Sequence, residues 1–174
     1  MTVEQVRALP DPPGGRYELH HGELVIVSGP KLGHWEIQHN LVKLLSGPAG
    51  KRGVVGMDFG FRALPEHEWR EADVAFTSRE RYRATNREDN LRGAPEIVIE
   101  VLSRSNTKSE MSSKESLCLE NGCLEFWVVD SKRNTVRVSK PNEVPKTYRA
   151  GDQIPLLLFG DARISVDAIF ESLE

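Results

Sequence analysis

The sequence predicts a mixed α/β fold, in which helices cover a mixed central sheet and a β-hairpin lies near the N-terminus. Three observations carry that expectation. Short β-rich runs alternate with two longer stretches of helical apolar spacing. One run, Ile97-Val98-Ile99-Glu100-Val101-Leu102, is apolar at both parities, as a strand covered on both faces requires. Finally, the runs 16–20 and 23–27 flank His21-Gly22, where glycine supplies the positive φ of a tight hairpin turn.

Taken in order, Thr2 is placed to cap a short helix through Leu9, which Pro10-Asp11-Pro12-Pro13-Gly14-Gly15 ends. After the hairpin, Ile37, Leu41, Leu44 and Leu45 recur at helical spacing over 33–46, and Gly47-Pro48-Ala49-Gly50 breaks the pattern. Residues 53–64 alternate as a strand through Val55, Met57, Phe59 and Phe61. A strand over 71–76 follows, then an arginine-rich polar connection, then the apolar strand over 97–102. Thr107 is an N-cap candidate for a helix over 107–121, with Gly122 closing it. Strands over 124–129 and 135–139 come next, and the tail from Gly151 reads as short strands with a final helical turn over 166–170.

Length and composition bound the function. A chain of 174 residues is expected to form one domain, 1–174, with its core over about 16–140. Cys118 and Cys123 are too few for a disulfide framework or a zinc knuckle. No apolar run is long enough to span a membrane, and the first residues lack a signal peptide's hydrophobic stretch, so no membrane partner and a cytoplasmic location are expected. The 23 basic and 26 acidic side chains leave a net charge of −3, which argues against coating nucleic acid by bulk charge. The basic excess is local. Arg79, Arg81 and Arg83, with Arg87 and Arg92, form either a solvated polar loop or a patch for backbone phosphates.

Three charged residues stand where the pattern calls for apolar ones. Glu100 lies inside the doubly apolar strand, where an isolated carboxylate is costly and needs a partner or a cation. Asp73 sits among small and apolar neighbours in residues 71–76. If the two strands pair, both carboxylates can lie side by side on one face, and a hard divalent ion is the usual relief of their repulsion. Lys114 shares the helical stripe of Met111, Leu117 and Cys118 and is directed back toward the Glu100 strand. Taken singly, each has a structural explanation: a salt-bridged glutamate, a strand-end aspartate and a snorkelling lysine.

At these residues the sequence resembles a known family. The carrying segments are Arg16-Tyr17-Glu18-Leu19-His20-His21-Gly22-Glu23-Leu24-Val25, His34, Glu71-Ala72-Asp73-Val74, Ala94-Pro95-Glu96 with the run through Ser103, Lys114, and Asn121-Gly122-Cys123-Leu124-Glu125-Phe126-Trp127-Val128-Val129-Asp130. They are similar to the Uma-two family of putative restriction endonucleases, within the PD-(D/E)xK nuclease superfamily, over roughly 16–140. The resemblance implies a restriction-endonuclease-like core that binds Mg²⁺ (or Mn²⁺) and hydrolyses DNA phosphodiesters, with Asp73 and Glu100 as metal ligands and Lys114 as the third catalytic residue. Leu102 stands where the superfamily carries its strand lysine, and Lys114 matches the helix position the family uses instead. Glu18 and His34 match further characteristic positions as accessory candidates. Ala72, Arg104, Glu110, Cys118 and Cys123 depart from the family's usual residues.

Function is therefore expected to be that of a Mg²⁺-dependent deoxyribonuclease, with DNA as partner and a homodimer as one arrangement that would address two strands. The alternative is a catalytically inactive nuclease-like fold that binds nucleic acid or protein. Trp127, Phe126, His20 and His21 read as structural.

Overall fold

Strand pairing organises this molecule, seen here in a computed structural model that describes residues 1–173. Thr2 caps α1 (Val3–Arg7) through a reciprocal box with Gln5, which satisfies two end amides. Strands β1 (Arg16–His20) and β2 (Glu23–Val27) pair from Arg16↔Val27 to His20↔Glu23, with φ of +50° at His21 and +80° at Gly22 in the turn. That double positive φ matches a right-twisted two-residue hairpin turn. Val3 and Val6 of α1 pack on Leu19, and the Leu19 and Trp69 backbones exchange hydrogen bonds, so the hairpin is anchored to the body.

The main sheet runs in the spatial order β5-β3-β4-β6-β7-β8-β9. Its strands are β3 (Gly53–Arg62), β4 (Arg70–Ser78), β5 (Leu91–Arg92), β6 (Ile97–Val101), β7 (Glu125–Asp130), β8 (Thr135–Ser139) and β9 (Lys146–Tyr148). The β3/β5 and β6/β7 pairs are parallel and the others antiparallel, which makes the sheet mixed. Helices α2 (Leu32–Ala49) and α4 (Lys108–Glu120) cover it. Ile37, Leu41 and Leu45 of α2 pack with Val74, Ile99 and Trp127, and the tail adds Ile154, Ile164 and Ile169 to that side. Met111, Leu117 and Cys118 of α4 pack with Ala75, Val98 and Phe126 on the other. The doubly apolar reading of residues 97–101 is thereby explained: all five are buried between the two layers.

Two sequence expectations change. Helix α2 does not stop at Ser46; it runs through Gly47-Pro48 to Ala49 and ends at Gly50, whose φ is +51°. A proline in the last turn forfeits a single backbone hydrogen bond, and burial of Leu45 and Ala49 in the core holds that turn. The arginine-rich stretch is no loop throughout. It opens as α3 (Arg79–Ala84), whose Arg81 guanidinium bonds the carbonyls of Arg92 and Ala94, and β5 then pairs with β3. The tail forms β10 (Gln153–Pro155), β11 (Arg163–Ser165) and α5 (Val166–Ile169). No helix among the described residues is long and apolar enough to cross a membrane.

Candidate active site

The β4/β6 ladder pairs Phe76↔Ile97, Ala75↔Val98 and Val74↔Ile99, and stops there. Asp73 and Glu100 are the next residues outward, so they face each other in register where the strands part. The Asp73 side chain takes the place of the missing ladder bond: its Oδ2 accepts from the Val101 amide at 2.7 Å. Its Oδ1 lies 3.2 Å from His34 Nε2, in the first turn of α2. Burial lowers the His34 pKa, but the Asp73 bond and the charges of Asp73, Glu100 and Asp58 outweigh it, and the net shift is upward. The Asp73 carboxylate thus favours the charged form of the ring that touches it.

Glu100 is held from the α4 side instead. It is 7% exposed, its Oε2 lies 2.9 Å from Lys114 Nζ, and its Oε1 is buried with no hydrogen-bond partner. Burial, reinforced by the Asp73 charge, pushes its carboxyl up to about 7 against the pull of Lys114. The expectation of two carboxylates on one face is therefore refined. They are register neighbours, with Asp73 tied toward α2 and the β6 backbone, and Glu100 tied to α4.

Lys114 reaches this point because α4 starts where it does. Thr107 and Glu110 form a capping box at its N-terminus, which gives Glu110 a local role. Seven residues beyond the cap, Lys114 lies among the buried Met111, Leu117 and Cys118 and donates to the Glu71 carbonyl at 2.7 Å. Burial would lower its pKa, yet the surrounding Glu100, Glu18 and Asp73 raise it, so the amine stays charged.

The hairpin brings Glu18. Only 5% exposed, it bonds His20 Nε2 at 2.8 Å and lies 3.6 Å from Arg16. Burial raises its pKa, but His20, Lys114 and Arg16 reverse the shift and keep it ionised. Glu71 lies 2.8 Å from Arg16 Nε, and its burial, with Asp58 and Glu18 nearby, brings its carboxyl to about 7.

The structure therefore brings together Asp73, Glu100, Lys114, Glu18 and His34 from β4, β6, α4, β1 and α2. It does not bring Arg79, Arg81 or Arg83 there. They follow β4 at its opposite end, and Ser78 lies about 16 Å along the strand from Asp73 at ~3.3 Å per residue. Arg79 bonds the Lys51 carbonyl, Arg81 is tied to Ala94, Arg92 and Glu96, and Arg83 is exposed. Sequence reasoning missed Asp58, Gln38 and Glu71. Gln38 stands four residues after His34 on the same helix, and that spacing alone could have pointed to it. Asp58 carries no such signal.

Among the described residues no group of three or more His, Cys, Asp or Glu side chains is disposed to cage a metal. A two-carboxylate site is nevertheless in keeping with the donors present. Asp73 and Glu100 are hard oxygen ligands, and the buried Glu100 Oε1 is unpaired. Mg²⁺ commonly takes one or two carboxylates with waters and substrate phosphate. Two surface clefts, one lined by Glu4, Arg62 and His67 and the other by Arg81, Asn86 and Asp89, share no residue with this cluster.

Comparison with known proteins places the chain. A family model described as "Putative restriction endonuclease" matches residues 3–167. No curated protein matches. Five chains of solved structures match. One is the crystal structure of a putative nuclease belonging to DUF820 from Anabaena variabilis ATCC 29413. Its TM-score is 0.82 at 17% identity, over 98% of this chain and 97% of that one. At that identity the likeness establishes the fold.

Proposed function

Because this chain belongs to the Uma2 family of putative restriction endonucleases, we propose that it is a Mg²⁺- or Mn²⁺-dependent deoxyribonuclease whose centre is Asp73, Glu100 and Lys114. One observation carries the reading. Glu100 is buried beside Asp73 with one oxygen on Lys114 and the other unpaired, an arrangement costly for structure alone.

Asp73 and Glu100 would hold the ion, which when bound supplies Lewis-acid stabilisation of charge on the phosphate. The chain's own groups supply the rest. Lys114 spends two of its three N–H donors on Glu71 and Glu100, leaving one for a phosphate oxygen as charge develops on it. Glu18 helps to keep that amine protonated, and His34 and the Val101 amide fix the Asp73 carboxylate. Glu18 and His34 are positioning residues.

Incubation of supercoiled plasmid with the purified protein and Mg²⁺ tests the assignment. Cleavage is expected from the natural chain and not from Asp73→Ala or Glu100→Ala; undiminished cleavage by either variant overturns it. The second reading is an inactive nuclease-like module. It is favoured by Lys114, whose bond already compensates one Glu100 oxygen without a cation. Binding of Mg²⁺ with no cleavage of duplex or single strand selects it.

A further inference from the structure

Four non-glycine residues among those described have positive φ: His21, Asp58, Asn134 and Asn142. Three of them sit in turns. Asp58 alone lies inside a strand, at φ +51° in the middle of β3. A non-glycine residue in that region is unfavourable and calls for a reason. The register shows where the departure falls. β3 and β4 pair at Met57↔Val74 and at Phe59↔Ala72, and the step skipped between them is Asp58 opposite Asp73.

Gln38 fills the gap. It is 0% exposed, and its Nε2 donates to Asp58 Oδ1 at 3.0 Å and to the Asp73 carbonyl at 3.0 Å, while its own Oε1 is buried without a partner. A wholly buried amide is thus directed at the opening beside Asp73 and fixes one oxygen of an exposed carboxylate. Asp58, Asp73 and Glu100 therefore occupy one register row on three neighbouring strands.

We propose that Asp58 is a third carboxylate of the cation site, gripping from the solvent side the water shell of the ion held by Asp73 and Glu100, with Gln38 as its positioning residue. This rests on the divalent-cation reading given above. The water-mediated role follows from the absence, among the described residues, of a three-ligand cage, and from the reluctance of Mg²⁺ to shed water. Outer partners of this kind typically change metal affinity 10–100-fold.

The test is calorimetric titration of MgCl₂ into the full chain at pH 8. Asp58→Asn suits it, because asparagine accepts left-handed backbone and keeps the Gln38 bond while losing the charge. Asp58→Gly, which adopts the same φ freely, guards against an effect peculiar to the asparagine. The expected result is binding by the natural chain, none by Asp73→Asn, and about tenfold weaker binding by both Asp58 variants. Adding Gln38→Met to Asp58→Gly should weaken binding no further, as Gln38 acts through Asp58. Affinity within twofold of natural in the Asp58 variants overturns the inference and leaves the proposed nuclease centre standing. Absence of binding by the natural chain overturns the cation reading and this inference with it. A further loss from Gln38→Met removes the positioning role.

Discussion

Lys114 Nζ lies 2.9 Å from Glu100 Oε2, and this ion pair ties the helix on one face of the sheet to the strand at its centre, beside their apolar packing. Neither charge is well placed alone. Glu100 is 7% exposed and Lys114 emerges from an apolar stripe, so each desolvates the other's side of the pair. A buried pair of this kind contributes little net stability over an apolar substitute, but loss of one partner leaves a stranded charge.

Lys114→Met should therefore lower the stability of metal-free protein by about 3 kcal/mol at pH 8, while Lys114→Met combined with Glu100→Leu should recover most of it. Urea unfolding of the single and double variants measures both. If the double variant is as unstable as the single one, uncompensated charge is not the cause.

In the proposed nuclease centre, His34 is expected to bear on activity rather than folding. Its ring is 3.2 Å from Asp73 Oδ1, and the backbone amide of Val101 already holds the other oxygen. His34→Ala should cut plasmid cleavage about 10–100-fold, the usual range for a group that orients a ligand, while shifting the unfolding midpoint little. Full activity in His34→Ala would reduce the contact to packing.

Much of this arrangement was legible in the residues, and the illegible part has identifiable causes. A charge inside an apolar period is visible without coordinates, which is why Asp73, Glu100 and Lys114 stand out. The hairpin was equally plain, since His21-Gly22 permits few other conformations, and Thr107 with Glu110 marks the start of α4. Helix α2 outran its expected end because burial of Ala49 outweighs the local signal of Gly47-Pro48, a tertiary effect no window of sequence contains. Asp58 and Gln38 were missed for a related reason. An aspartate in an alternating strand looks like ordinary solvent-facing polarity, and only the strand register reveals that it stands opposite Asp73.

Asp89 gives a pH dependence. Its carboxylate bonds Arg62 at 2.9 Å and Arg7 at 2.8 Å, and Arg62 is almost wholly buried. Burial of Asp89 opposes ionisation, but the bonds from Arg62, the Asn90 amide and Arg7 win, and its pKa falls well below the ordinary value of 3.8. The unfolded chain then binds the proton more readily than the folded one. The stability that Asp89 confers is full above about pH 4 and is lost as pH falls through the acid range. Asp89→Asn should cost about 3 kcal/mol at pH 7, and the gap to the natural chain should shrink steadily below pH 4. A gap independent of pH would assign the loss to packing.

Arg81 separates structure from recognition. Its guanidinium donates to the Ala94 and Arg92 carbonyls at 2.8 and 3.0 Å and pairs with Glu96 at 3.0 Å, so it fastens α3 to the segment that leads into β6. A side chain committed in this way has little left for a phosphate. Arg83, on the same helix, is exposed and free of such ties among the described residues. Arg81→Ala should therefore destabilise the fold by about 2 kcal/mol, in line with two charge-assisted bonds lost, and Arg83→Ala by less than about 0.5 kcal/mol. In DNA binding the expectation for Arg81 is the reverse of a phosphate contact: Arg81→Ala leaves the slope of log affinity against log salt unchanged. A slope reduced by about 0.9 in Arg81→Ala would mean that the residue releases a counterion on binding and that its bonds to Ala94 and Arg92 give way to DNA.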